Sequence, residues 1–289
     1  GARLLLASRE VAGDAAQLAA TLKGSEATIM QATPSSWRML VESGWEGQES
    51  LQMMCGGEAL AVELGEALVG KGRELWNLYG ATETTIWSMA KRVEESGRRE
   101  QSGQQRQREQ SGSVWLGRAL ANTEVYIVDK QLQVVPVGVK GELHIAGEGL
   151  ARGYLSRPEL TAEKFIPNPF GTEPGERLYR TGDIARYLPD GEIEYLGRID
   201  AQVKLRGFRI ELGEIEAVLS EYPGVRESAV VARESGFGDK RLSAYLVVDK
   251  EPAPKASDLR SYLRKKLPEY MIPSAFVALG SLSLTPNGK

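Results

Sequence analysis

Tyr179-Arg180-Thr181-Gly182-Asp183 opens the stretch on which the reading of this chain turns. It runs on through Gly197-Arg198-Ile199-Asp200 into Lys204-Leu205-Arg206-Gly207-Phe208-Arg209-Ile210-Glu211-Leu212-Gly213-Glu214-Ile215-Glu216. Fixed charges and glycines sit between apolar residues more densely than in a bland surface loop. A carboxylate directly after a glycine, as at Asp183, is shaped to accept hydrogen bonds from vicinal ribose hydroxyls. A plain surface turn is the competing reading of the same five residues. Near Gly197–Asp200 the residue pattern changes, which predicts a boundary between two units, 1–199 and 200–289.

Before that boundary the chain reads as two regions. In residues 1–90, Leu4–Leu6, Thr28–Met30, Leu51–Cys55 and Glu74–Leu78 read as strands, the first three buried. Ala15–Leu22, Ser35–Val41 and Val62–Val69 read as helices, with Pro34 at the entry of the second. Strands spaced by helices predict an α/β layer with a parallel sheet. From Val114 to Leu196 the chain is β-rich. Glu124–Val128 and Glu142–Ala146 alternate at period 2. A short helix starts at Pro158, and Pro189-Asp190-Gly191 turns between Ile184–Tyr187 and Ile193–Leu196. Residues 94–113 carry no aliphatic or aromatic side chain and repeat Arg-Glu-Gln-Ser-Gly. Such a segment cannot offset its ordering entropy by burial and is expected to be a disordered insertion.

After Asp200 an α+β unit is expected. Val203, Leu205, Phe208 and Ile210 lie on strands broken at Gly207. Leu212, Ile215, Val218 and Leu219 form a helical stripe. Strands Ser228–Ala232, Leu242–Val248 and Phe276–Leu279 follow, with a helix capped by Ser257 or Asp258 between the last two. The tail from Ser283 reads as a loop.

The totals narrow the function classes. A net charge of −3 gives no drive toward nucleic acid or a membrane surface. No apolar run approaches the roughly 20 residues of a membrane span. The single cysteine, Cys55, fits a reducing compartment, so a cytoplasmic location is expected. Cys55 sits on an apolar strand with no base nearby in sequence, and His144 alternates within a strand; both read as packing.

In Asn77-Leu78-Tyr79-Gly80-Ala81-Thr82-Glu83-Thr84-Thr85 a strand runs through a glycine into hydroxyls and a carboxylate. Such a turn can hold phosphate oxygens, and its carboxylate Mg²⁺. An ordinary strand-to-helix turn with Thr as N-cap is the alternative.

Taken in order, these motifs resemble those of the adenylate-forming superfamily, and in particular the amino-acid adenylation domains of nonribosomal peptide synthetases. The resemblance extends over nearly the whole chain apart from 94–113. It implies the C-terminal half of a large α/β domain, a mixed sheet plus a small β-barrel-like region, followed by a smaller α+β domain. By resemblance, Asn77 and Tyr79 grip adenine, Thr82 meets the α-phosphate and Glu83 reaches Mg²⁺. Gly57 joins the nucleotide set, Asp183 binds the ribose, Tyr195 is a second adenine-side aromatic, and Arg198 contacts ribose or phosphate. Asp200 matches a hinge, Gly207 a pantetheine tunnel, and Lys289 the lysine that reaches the α-phosphate and substrate carboxylate. The family usually has Pro where this chain has Ala81, a departure that deletes no ligand. The substrate pocket maps to Gln31, Met54, Gly56, Leu78, Ile86 and Trp87. These walls are bulky and uncharged, similar to domains that select glycine, with alanine second. The family's phosphate loop and the aspartate that anchors the substrate amine normally precede Gly1, and a carrier domain normally follows Lys289. The expectation is therefore a segment of an ATP-dependent ligase working with peptidyl carrier and condensation domains. An acyl- or aryl-CoA ligase and a non-catalytic nucleotide-binding remnant are the rivals.

Overall fold

A computed structural model describes residues 1–94, 112–235, 239–249 and 254–282. The chain divides into two compact units, Gly1–Asp200 and Ala201–Lys289. Most of the expected 94–113 insertion, together with Lys289 and the tail from Ser283, lies outside the described residues.

The first unit begins with helices α1 (Arg9–Ala12) and α2 (Ala15–Ser25). Asp14 caps α2 by accepting from Gln17 N at 2.9 Å. Strand β1 (Ile29–Ala32), helix α3 (Pro34–Glu42), β2 (Gln52–Gly56), helix α4 (Val62–Leu68) and β3 (Glu74–Tyr79) follow. The helical crossovers make β1, β2 and β3 parallel. Then β4 (Met89–Val93) and β5 (Arg118–Ala119) add antiparallel strands in the order β1-β2-β3-β4-β5. The expected parallel strands thus sit in a sheet that is mixed, as the resemblance implies, because the short return from Tyr79 to Met89 leaves no room for a crossover helix. Alternation along the strands sends Met53, Cys55 and Leu75 to one face, where Trp37, Leu40, Leu64 and Leu68 complete a dry core. Two expectations fail. Leu4–Leu6 is not a strand; Leu4 and Leu6 are 81% and 82% exposed. An apolar triplet makes a strand only where a neighbouring strand takes up its backbone groups, and the edge of this sheet is β1. β1 itself is half-exposed rather than buried for the same reason.

The second sheet is a curled half-barrel. Its strands are β6 (Thr123–Val128), β7 (Gly141–Gly147), β8 (Phe165–Pro167), β9 (Arg177–Tyr187) and β10 (Ile193–Arg198), with helix α5 (Pro158–Lys164) before β8. The order is β10-β9-β7-β6, with β8 on β9, and every pairing is antiparallel. Ile127, Leu143, Ile145, Ala185 and Ile193 form its core, and Tyr79, Met89 and Leu116 from the first sheet's side join the same cluster. On the far side of 95–111, Ser113 bridges Ala61 and Val114 N donates to Leu60 O at 2.7 Å.

The second unit starts with a hairpin of β11 (Gln202–Leu205) and β12 (Phe208–Glu211). Its two-residue loop has φ of 51° at Arg206 and 79° at Gly207, the signature of a type I′ turn rather than a bulge. Helix α6 (Leu212–Ser220), strands β13 (Val225–Ser235) and β14 (Asp239–Val248), helix α7 (Ala256–Arg264) and β15 (Ala275–Leu279) complete it. Ile210, Leu212, Ile215, Leu219, Leu259 and Leu263 meet in one core. Neither Ser257 nor Asp258 caps α7: the helix starts ahead of both, its N-cap is Lys255, and no side chain caps it. Ser257 and Asp258 instead lie in the first turn, where the carboxylate opposes the positive end of the dipole.

Ile215 is fully buried in this core. Ile215→Ala should lower unfolding free energy by about 2–5 kcal/mol. Urea titration followed by far-UV circular dichroism checks it; a change under about 0.5 kcal/mol would place residue 215 outside the core.

Candidate nucleotide site

Tyr179–Asp183 is neither a loop nor a surface turn but the middle of strand β9. Opposite β7 the register slips: Glu142 faces Ile184 and His144 faces Arg180, so Thr181, Gly182 and Asp183 stand against Leu143 alone. A bulge leaves ladder groups without strand partners, and burial makes each one costly. Here side chains and the backbone just past β10 supply the missing partners. Thr181 Oγ1 donates to Leu143 O at 2.6 Å and accepts from Asp183 N at 3.0 Å. Gly182 N donates to Glu142 Oε1 at 3.3 Å. Ile199 N donates to Gly182 O at 2.9 Å, and Arg198 Nη2 to Thr181 O at 3.1 Å. Gly182 has φ of 74°, and a Cβ on it would lie 2.8 Å from Arg198 Nη2. Only glycine satisfies both conditions.

The bulge turns the Asp183 carboxylate toward Tyr79, 104 residues earlier in the chain. The Tyr79 hydroxyl donates to Asp183 Oδ2. Arg198 Nη1 donates to Asp183 Oδ1 at 2.6 Å, while its Nε and Nη2 grip both oxygens of Asp200 at 2.7 and 2.8 Å. Hydrogen bonds to charged groups contribute about 1.5–3 kcal/mol each, and breaking a buried charge pair costs about 3–5 kcal/mol. Burial, then the Asp183 charge, holds the Tyr79 phenol well above its ordinary range. Burial opposes the Arg198 charge, but the bonds and charges of Asp200 and Asp183 outweigh it and push that pKa up. The Tyr195 phenol is pushed up to about 12 by burial and by the Asp183 charge, partly offset by Arg198.

Beyond Tyr79 the chain folds back on itself. The Ile86 carbonyl occupies the space that a Cβ on Gly80 would need. Residues Thr82–Thr84 form a 3₁₀ turn capped at Ala81, not at a threonine. Thr85 and Ile86 follow with φ of 59° and 69°. Two β-branched residues in that region store strain that their surroundings must hold in place. The segment after β7 does so: Thr85 Oγ1 donates to Gly149 O at 2.7 Å, and Ala151 N to Glu83 O at 2.8 Å. Tyr154 OH donates to Glu83 Oε1 at 2.6 Å. Arg177 in turn ties down the carbonyls of Ala151 and Arg152. Thr82 is exposed, whereas the Glu83 side chain is buried.

Gln31 pairs with Met54, Met54 with Trp76, and Gly56 with Leu78. Period-2 alternation therefore sets these residues on one sheet face, opposite the packed helices. Trp76 on that face was not among the residues read from the sequence. Ile86 is 67% exposed and Trp87 half-buried on the returning loop. Gly57 turns with φ of 92° just past β2. Asn77 points to the other face, and its amide donates to Trp115 O at 3.0 Å. That bond fastens β3 to the next segment. His144 is fully buried, with Nδ1 beside Glu142 O, and burial pushes the Cys55 thiol up. Tyr154, Thr181 and Glu142 were missed because their roles rest on contacts with no local signature.

Tyr195 titrates near 10 when unfolded and at about 12 here, so the folded state holds the extra proton. Stability from this group is complete below about pH 10 and is lost as pH rises toward 12. Tyr195→Phe should flatten the decline in urea stability across that window. An unchanged slope would contradict the stated environment.

The description "AMP-binding enzyme" fits residues 1–155, and "AMP-binding enzyme C-terminal domain" fits residues 214–289. The whole chain is 48% identical to part of a dimodular nonribosomal peptide synthase of Bacillus subtilis (strain 168), of which it covers 12%. Over its whole length it is also 46% identical to tyrocidine synthase 3 of Brevibacillus parabrevis, covering 4% of that protein. Among solved structures it resembles a four-domain nonribosomal peptide synthetase bound to AMP and glycine (TM-score 0.60, 43% identity, 98% of this chain and 20% of that one). It also resembles a synthetase containing adenylation and PCP domains (TM-score 0.79, 29% identity, 96% and 45%). The chain spans only a small part of the curated relatives it matches. With both family descriptions matched in order along it, the chain belongs to the AMP-binding enzymes, as the C-terminal part of an adenylation domain.

Proposed function

We propose that this chain supplies part of the nucleotide site of an enzyme that activates an amino acid with ATP and passes it to a carrier thiol. The observation that carries the proposal is the junction of Tyr79, Asp183 and Arg198. It presents a fixed carboxylate beside an aromatic ring, suited to a ribose and its base. The substrate carboxylate attacks the α-phosphorus of ATP, the bond to the bridging oxygen breaks, and pyrophosphate leaves. The resulting acyl phosphate is then opened by a thiol, with AMP leaving. Phosphopantetheine on a carrier domain supplies that thiol. A carrier domain accompanies the adenylation domain in one structural relative, which supports this partner. A condensation domain is the further partner proposed. Gly207 and Asp200 keep their proposed roles at the thiol path and the hinge.

Among the described residues no three carboxylate, histidine or cysteine side chains cluster as a metal cage. A single carboxylate, Glu83, in the turn after β3 still fits Mg²⁺, which takes one or two protein carboxylates and completes its shell with phosphates and water. Glu83 would hold it, and the ion would neutralise phosphate charge. Thr82, exposed beside Glu83, is proposed to meet the α-phosphate, with Lys289 as the cation for the redistributing charge. Among the described residues no helix is long and apolar enough to cross a membrane. The single cysteine supports a reducing, cytoplasmic setting.

In the full-length protein, Asp183→Ala should raise the KM for ATP by roughly tenfold or more and leave the amino-acid KM near wild type. ATP–pyrophosphate exchange, run beside a thermal melt, measures it; an unchanged KM for ATP in a folded variant refutes the ribose role.

For the substrate we propose glycine. Met54 and Leu78 crowd the sheet face beside Gly56, and a relative with 43% identity holds glycine with AMP. Exchange should be fastest with glycine, slower with alanine and absent with phenylalanine. Preference for a large aromatic amino acid would overturn the assignment.

A further inference from the structure

We infer that Thr181 is a positioning residue: its buried hydroxyl sets the bulge that aims Asp183, and through it the enzyme's preference for a ribose over a deoxyribose. The inference rests on the ribose role proposed for Asp183. Thr181 is 5% exposed, so its hydroxyl finds partners only within the protein. It has two bonds in the bulge: it donates to Leu143 O and accepts from Asp183 N, at 2.6 and 3.0 Å. The first ties the bulge to β7, and the second fixes the backbone from which the Asp183 side chain departs. Across the junction the Tyr79 hydroxyl grips Asp183 Oδ2. Glu142 supports the next residue by accepting from Gly182 N. Without the Thr181 hydroxyl, a buried carbonyl and a buried amide lose their partners together. The three bulged residues must then shift to find others. The carboxylate would remain but point elsewhere.

The test uses the full-length protein and the ratio of kcat/KM for ATP to that for 2′-deoxy-ATP. Thr181→Val keeps the shape and removes the hydroxyl. It should raise the ATP KM roughly tenfold and collapse the ratio toward one, with the amino-acid KM little changed. Thr181→Ser keeps the hydroxyl and should restore most of the discrimination. If the valine variant melts below assay temperature, Thr181→Ala replaces it in the comparison with Thr181→Ser. Asp183→Asn is the control. Loss of discrimination in Asp183→Asn but not in Thr181→Val would overturn this inference alone. Retention of discrimination in Asp183→Asn would overturn the ribose reading and this inference with it.

Discussion

The Asp183 carboxylate is the constraint around which the first unit is arranged. It is 3% exposed, and an ionised carboxylate away from water is tolerated only with close, well-aimed donors. Those donors come from two places. Tyr79 arrives at the end of the first sheet, and Arg198 at the end of β10 in the second. Satisfying the charge therefore fixes how the two sheets join. The apolar cluster shared by Tyr79, Met89, Leu143 and Ile193 supplies the burial that makes the requirement strict. Hydrophobic packing brings the sheets together without direction, and the carboxylate gives the junction its register.

A second, weaker constraint follows from the first. Once Tyr79 is anchored, the chain must reverse within about ten residues to begin β4 at Met89. That reversal places Thr85 and Ile86 at positive φ, where β-branched residues lose about 1–3 kcal/mol each. The segment after β7 repays part of this through Gly149, Ala151 and Tyr154. Glu83 is held at the centre of that contact. The strain and the brace together fix the Glu83 carboxylate, the group proposed to hold Mg²⁺.

Much of this was legible in the sequence, and the limits have physical causes. Short apolar runs marked β2 and β3, period-2 runs marked β6 and β7, and the Leu212-Ile215-Leu219 stripe marked α6, because burial leaves its pattern directly in the sequence. Ordered motifs marked Tyr79 and Asp183, though not that the two side chains touch. Hydrogen bonds between residues 104 positions apart leave no local pattern. The bulge was invisible for a related reason: Thr181-Gly182-Asp183 looks like a turn, and only its place in β9 between β7 and β10 makes it strand. Leu4–Leu6 misled in the opposite sense, since apolar content without a sheet neighbour gives no strand. Ser257 and Asp258 were plausible caps, but the helix begins at Ala256, ahead of both.

The donor count at Arg198 separates the two roles open to it. A guanidinium has five N–H groups. Nε and one Nη2 hydrogen serve Asp200, the other Nη2 hydrogen serves the Thr181 carbonyl, and one Nη1 hydrogen serves Asp183. One donor is left, and the positive charge is already divided between two carboxylates. A phosphate clamp needs paired donors and uncommitted charge. Arg198 offers neither; its bonds hold Asp183 in position, which supports the ribose role proposed for that carboxylate. Each Asp183 oxygen in turn gives one of its acceptor sites to Tyr79 or Arg198 and keeps another. Two acceptors fixed side by side match two neighbouring hydroxyls, and that geometry favours a sugar diol over any anionic group.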